Sequence, residues 1–140
     1  MRISALVHNT RTSHAVSVST GGSTRELPVP ARESGPGSAV NGGEFLMLAL
    51  ATCYCNDLYR EAARLGVPVD AVEVEAGAEF PGVGLAATDI RYRVHVSSPA
   101  SSSVVAQLVR ETDSVAEVHN TVRAGVPVEL VIGQKVACRP

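Results

Sequence analysis

Two of the chain's three cysteines, Cys53 and Cys55, close an apolar run from Phe45 to Cys55, FLMLALATCYC, in which only Thr52 is plainly polar. The polar stretch Asn56-Asp57-Leu58-Tyr59-Arg60-Glu61 follows at once. The pattern describes a buried helix that delivers a thiol to the edge of a hydrophobic core. A thiol in that position becomes a nucleophile when it ionises, so the charges around it decide what it can do.

Helical residues advance by about 100° each. Cys53 therefore shares a face with Leu46, Ala49, Leu50, Asn56, Asp57 and Arg60, a face that turns polar just beyond the thiol. Cys55 lies about 200° away, with Leu48, Ala51, Leu58, Tyr59 and Ala62, on a face that stays apolar. Cys53 is the better placed to meet a substrate, and the opposed directions exclude a Cys53–Cys55 disulfide on an intact helix. Both thiols also fit a plainer role as small core hydrophobes, since free cysteine is among the most buried residue types. Asp57, four residues on, opposes thiolate formation; Arg60 can offset it through an i,i+3 pair. The helix's own dipole acts only in its first turn and does little at Cys53. A reactive Cys53 needs a cation from elsewhere in the fold or from a partner.

The surrounding elements must hold this helix. Asn41 and Glu44 form a capping-box pattern at its start, and Gly66 and Pro68 end it after Leu65, a helix of about 24 residues. Before it, Ile3–Val7, His14–Ser19 and Thr24–Val29 read as short strands joined by tight turns, followed by a loop punctuated by Pro28, Pro30, Gly35, Pro36, Gly37, Gly42 and Gly43. After it, Val69–Phe80 and Thr88–Val96 alternate as a long antiparallel hairpin with one solvated face. Ser97–Ser103 holds the cap of a second helix, Asp113-Ser114 caps a short third helix through Val122, and Val126–Ile132 forms a last strand. The order βββ-α-ββ-α-α-β is an α+β arrangement, in a single domain spanning residues 1–140.

Composition narrows the function. Charged residues make up 19% of the chain, the net charge is −2 and the pI about 6.1, which points to neither nucleic acid nor a membrane surface. The apolar run is shorter than the roughly 20 residues of a membrane span. The first ten residues lack the apolar core and cleavage site of a secretory leader, so a cytoplasmic protein with resting thiols is expected. His8, His14, His95 and His119 have no metal-ligand spacing, and the CxC pair has no partner pair, so neither a metal nor another cofactor is expected. Gly42-Gly43 precedes a helix without the rest of a phosphate-binding pattern.

The segment Asn41-Gly42-Gly43-Glu44-Phe45-Leu46-Met47-Leu48-Ala49-Leu50-Ala51-Thr52-Cys53 resembles the central-helix signature of the OsmC/Ohr family, the osmotically inducible protein C and organic hydroperoxide resistance proteins, whose pattern is like N-P-E-E-L-L-L-A-A-L-A-x-C. Asn120-Thr121-Val122-Arg123-Ala124-Gly125-Val126-Pro127-Val128 resembles the family's C-terminal pattern, S-N-T-L-R-x-G-V-x-V. The resemblance implies an intertwined homodimer with antiparallel sheets around long central helices. It also implies a stress-response oxidoreductase, a thiol peroxidase for organic hydroperoxides. In that chemistry a peroxidatic cysteine becomes a sulfenic acid and a second cysteine resolves it, while an arginine and a glutamate activate the first thiol.

Under the resemblance, Cys53 falls on the peroxidatic position and Arg11, in the first strand-to-strand loop, falls near the activating arginine. The activating glutamate, ten residues before the cysteine, corresponds to Gly43; Glu44 stands one residue off and also has a capping role. The resolving cysteine corresponds to Ala116, and Cys138 is a candidate substitute. Two readings follow. One is a peroxidase or peroxide-responsive protein using Cys53, Arg11 and Glu44, with an external thiol as reductant. The other is a non-catalytic homodimer that binds a small ligand in the same interfacial pocket.

Overall fold

The computed structural model describes residues 1–133, and Cys138 lies outside them. The chain divides into two compact units, residues 1–49 with 77–89, and residues 50–76 with 90 onward. The long helix and the hairpin strands run through both, and no described helix is long and apolar enough to cross a membrane.

The first unit holds an antiparallel sheet in the order β1-β2-β3, with β1 at Ile3–Asn9, β2 at His14–Thr20 and β3 at Ser23–Glu26. The register runs from Ile3 opposite Thr20 to Asn9 opposite His14, and from Ser17 opposite Glu26 to Thr20 opposite Ser23. Gly21 and Gly22 both adopt positive φ (57° and 89°), the backbone that a two-residue hairpin turn requires. The third strand is shorter than the Thr24–Val29 expected, because Pro28 has no N–H to continue a ladder. Val16 is the one buried apolar residue of the sheet, and every residue of β1 is exposed, so its alternation does not bury a face.

Helix α1 spans Gly42–Leu65, as the caps require. The Asn41 side-chain oxygen accepts the Glu44 N–H at 2.9 Å, and the Glu44 carboxylate accepts the Asn41 N–H at 2.7 Å, a reciprocal capping box. At the other end Val67 N–H reaches Ala62 O (2.9 Å) and Gly66, at φ 67°, reaches Ala63 O (3.3 Å). The apolar run is helical but only partly buried. Phe45, Leu46 and Met47 are half-covered, Leu48 is exposed, and the buried stripe begins at Leu50 and continues through Tyr54, Asp57, Leu58, Glu61 and Ala62.

The second unit is built on that stripe. Strands β4 (Ala71–Glu79) and β5 (Thr88–Ser97) pair as the expected hairpin, and Asp70 N–H closes it on Ser97 O at 2.8 Å. Val72, Val74, Tyr92, Val94 and Val96 form its covered face and pack against Tyr54, Leu58, Ala62, Leu108 and Ala116. Helix α2 spans Ser102–Val115 and helix α3 spans Glu117–Ala124.

Two expectations fail here. Helix α3 takes its N-cap at Ala116, not at Asp113-Ser114. The Ser114 hydroxyl donates back to Glu111 O (2.7 Å), and the Asp113 carboxylate is held by Tyr92 and by Arg123 (2.6 Å), so neither caps a helix and α2 continues to Val115. Residues 126–133 are not a strand: Val126, Val128, Leu130 and Ile132 are exposed and pair with no strand among the described residues. The alternation is there, but a strand also needs an edge to bond to.

Candidate functional site

The stripe that buries Tyr54 and Leu58 places Cys53 and Cys55 on its two borders, and both thiols are free and half-buried. Exposure therefore does not separate them; their surroundings do. Cys55 lines a shallow hollow of about 250 Å3 with Ala51, Thr52, Asn56 and Val74. Cys53 faces charge. Its thiol donates to Asp57 Oδ2 at 3.2 Å, and Asp57 Oδ1 accepts from Arg60 Nη1 at 2.7 Å. Arg60 also lies 3.4 Å from Glu61 and 3.7 Å from Glu117. The i,i+4 and i,i+3 spacings of α1 produce both contacts, and Asp57 opposes the thiolate as the sequence implies.

What comes from outside the helix is the start of α3. The backbone N–H of Val118 favours the thiolate. Against it, burial pushes the thiol pKa up, and the carboxylates of Asp57 and Glu117 push the same way, so the net shift is upward and Cys53 rests as a thiol at neutral pH. Oxygens of Asp57 and Glu117 and the Cys53 sulfur lie within 4.8 Å of one another. One sulfur and two carboxylates could hold a divalent ion, but the Arg60 guanidinium already supplies their positive charge, at 2.7 and 3.7 Å.

Behind the thiol lies a cluster of rings. His119, 3% exposed, sits 4.6 Å from the ring of Tyr92 and 5.7 Å from that of Tyr54, and the two tyrosines lie 5.0 Å apart. Both ring nitrogens of His119 lack a hydrogen-bond partner among the described residues. Burial, helped by the nearby Arg123, holds its pKa below the ordinary value despite the pull of Asp113 and Asp57. The Tyr92 hydroxyl, buried and donating to Asp113, is pushed up to about 12. Burial would raise Asp113, but hydrogen bonds from Tyr92 and Arg123 hold it on the low side. The Tyr54 hydroxyl donates to Val109 O at 2.7 Å and anchors α1 to α2. Glu117, Val118 and His119 escape sequence reasoning because α3 brings them from more than sixty residues away, and no local spacing signals it.

Arg11 and Glu44 belong to the first unit, and Cys53 to the second. Arg11 is exposed in the β1–β2 turn, where the Thr10 hydroxyl accepts the N–H groups of Thr12 (3.2 Å) and Ser13 (3.0 Å). With Arg32 and Glu33 it lines a cavity of about 740 Å3. Glu44 is committed to the capping box. At Gly43 a Cβ would stand 3.0 Å from the Phe80 ring and 3.1 Å from the capping oxygen of Asn41. Ala116, fully buried, leads α3 with no side-chain cap. Asn120 and Arg123 tie α3 to the end of α2 through Ser114 O (3.1 Å) and Asp113 (2.6 Å).

A family model described as OsmC-like protein matches residues 35–131. Among solved structures, an OsmC-like protein from Mycoplasma pneumoniae superposes with a TM-score of 0.61 at 14% identity, covering 87% of this chain and 86% of that one. A Legionella pneumophila structure, described as an organic hydroperoxide resistance protein OsmC and predicted redox protein, gives 0.59 at 17% identity over 88% and 90%. An organic hydroperoxide resistance protein from Elizabethkingia anophelis gives 0.51 at 14% identity over 84% and 88%. At these identities the structures establish the fold, which is mixed α+β as expected. No curated protein matches the sequence.

Proposed function

From the premise that the chain belongs to the OsmC-like family, which supports a peroxide-related role, we propose that it is a thiol peroxidase for organic hydroperoxides. In this reading residues 1–140 act as one domain within an intertwined cytoplasmic homodimer, and Cys53 is the peroxidatic thiol. The observation that carries the proposal is the thiol itself: the cysteine that ends the family-like helix signature is half-buried and donates to Asp57, which Arg60 holds in turn.

In the first step the Cys53 sulfur attacks a peroxide oxygen. The S–O bond forms, the O–O bond breaks, and the proton released by sulfur ends on the departing alcohol, leaving Cys53 as a sulfenic acid. With Ala116 where the family places a resolving cysteine, two equivalents of an external thiol complete the cycle. They return Cys53 to the thiol and leave as a disulfide with water. Arg11 serves as the activating cation at the subunit interface, and Glu44 stands nearest the missing glutamate. The homodimer is supported by apolar surface that a second copy would cover: Ile3, Leu6, Val7 and Leu48, and the unpaired Val128–Ile132 segment.

One observation favours the non-catalytic reading, a dimer that binds a small ligand in the same pocket: the Cys53 pKa is raised, where an activated thiol is usually lowered. Intact mass after one equivalent of cumene hydroperoxide with dimedone present, on the wild type and Cys53→Ala, decides between them. A dimedone adduct that the substitution abolishes supports the peroxidase. A folded wild type with no adduct refutes it and leaves the ligand-binding dimer.

A further inference from the structure

Resting on the reading of Cys53 as the peroxidatic thiol, we infer that Asp57 is the catalytic base of the reaction, the group that takes the thiol proton and hands it to the departing oxygen. Asp57 Oδ2 already accepts the Cys53 S–H at 3.2 Å. The side chain is 6% exposed, and its other oxygen is fixed by Arg60 at 2.7 Å. Both residues stand on one helix a single turn apart, so the contact is set by rigid backbone.

The alternatives on the page are worse placed. The glutamate expected ten residues before the cysteine is Gly43, with the Phe80 ring and the Asn41 cap around it. Glu44 already accepts the Asn41 N–H at 2.7 Å. Glu117 is near the sulfur, but its side chain is 70% exposed and makes no hydrogen bond to the thiol among the described residues. The resting thiol is protonated, so its attack requires somewhere for the proton to go.

The step balances. The S–H proton passes to Asp57 Oδ2 as the sulfur lone pair bonds to the hydroperoxide oxygen and the O–O bond opens. The alkoxide then takes the proton from Asp57. Thiol and hydroperoxide become sulfenic acid and alcohol, and Asp57 ends as the carboxylate it was. Arg60 balances its charge throughout.

The test exploits opposite signs. A carboxylate that acts only as a neighbouring negative charge suppresses the thiolate, so neutralising it would speed every reaction of Cys53. Asp57 that has taken up the thiol proton is in addition the acid that delivers it, and only a departing oxygen needs that delivery. In alkylation by iodoacetamide the sulfur's proton leaves to solvent before the attack, and the departing iodide takes none. The full-length wild type, Asp57→Asn and Asp57→Glu are compared at neutral pH for sulfenic acid formation with cumene hydroperoxide, and for iodoacetamide alkylation read at Cys53 by peptide mass.

Asp57→Asn is expected to slow the peroxide step by about 100-fold or more while alkylation becomes faster, and Asp57→Glu, which keeps a carboxylate, recovers most of the peroxide rate. An Asp57→Asn protein that reacts with hydroperoxide as fast as the wild type, or faster, overturns the assignment while leaving Cys53 as the peroxidatic thiol. A wild type that forms no sulfenic acid overturns both. Should Asp57→Asn fail to fold, the wild type alone answers: a slower peroxide step in D2O supports a proton in flight, and no isotope effect overturns the assignment.

Discussion

His119 makes the stability of this protein fall on mild acidification, and the effect is separable from that of the depressed carboxylates. The ring is 3% exposed, lies between Tyr54 and Tyr92, and has no partner for either nitrogen among the described residues. Protonation in place would bury a cation with no acceptor, next to Arg123. Its folded pKa is depressed, with burial the largest cause. In the unfolded chain it returns to about 6.5. Between the two values the unfolded chain binds a proton that the folded chain refuses. Stability is therefore full above about pH 6.5 and is lost as pH falls toward the folded pKa, at a limiting slope of about 1.4 kcal/mol per pH unit for one proton. The depressed carboxylates, Asp113, Glu61 and Glu111, lose their contributions only below their ordinary values of 3.8 and 4.5, outside this window.

The assay is urea unfolding at fixed protein concentration from pH 8 to pH 5, on wild type and His119→Phe. Phenylalanine keeps the ring contacts to Tyr54 and Tyr92 and removes the titration. The wild-type curve should bend downward below about pH 6.5, and the His119→Phe curve should stay flatter. Parallel curves, or a wild type that gains stability on acidification, would refute the reasoning, because either means that the folded chain takes up the His119 proton at least as readily as the unfolded one.

Three further outcomes are expected. Leu58→Ala, at a fully buried position in the core beneath Cys53, should cost about 2–5 kcal/mol, read from urea midpoints. Asn41→Ala removes the 2.9 Å bond to the Glu44 amide and should cost about 0.5–2 kcal/mol, with the loss in helix signal concentrated at the start of α1 by hydrogen exchange. Gly43→Ala, which in an open helix position gains roughly 1 kcal/mol, should gain nothing here because its Cβ meets Phe80 at 3.0 Å; the gain should return in part in a Phe80→Ala background, measured by thermal midpoint.

The elements most legible from sequence are those whose signals are local. Asn41, Glu44, Gly66 and Pro68 fix α1 because a cap is satisfied within four residues, and the alternation of Val72, Val74, Tyr92, Val94 and Val96 fixes the hairpin face. The same logic gives Asp57 and Arg60 around Cys53, since α-helical geometry alone brings i+4 and i+7 to one side. It fails where a local signal has a distant use. Asp113 and Ser114 are good capping residues by type, but Asp113 is claimed by Tyr92 and Arg123 and Ser114 by Glu111 O. Val126–Ile132 has strand alternation with no strand beside it. Position 43 reads as an open helix entry, yet Phe80 of the hairpin packs there. Glu117 and Val118 reach the thiol, and His119 the ring cluster, only through the packing of α3, which spacing within α1 does not reveal.

The first turn of α3 begins at a buried alanine whose side chain caps none of its free amides, and among them the amide of Val118 favours negative charge on the Cys53 sulfur. A thiolate answers the positive end of a helix better than a thiol does, so the sulfur's charge tightens or loosens the start of α3. By thermodynamic reciprocity, whatever firms that turn also favours the ionised sulfur by the same factor. The redox history of residue 53 is in this way legible in the fraying of a helix more than sixty residues further along the chain.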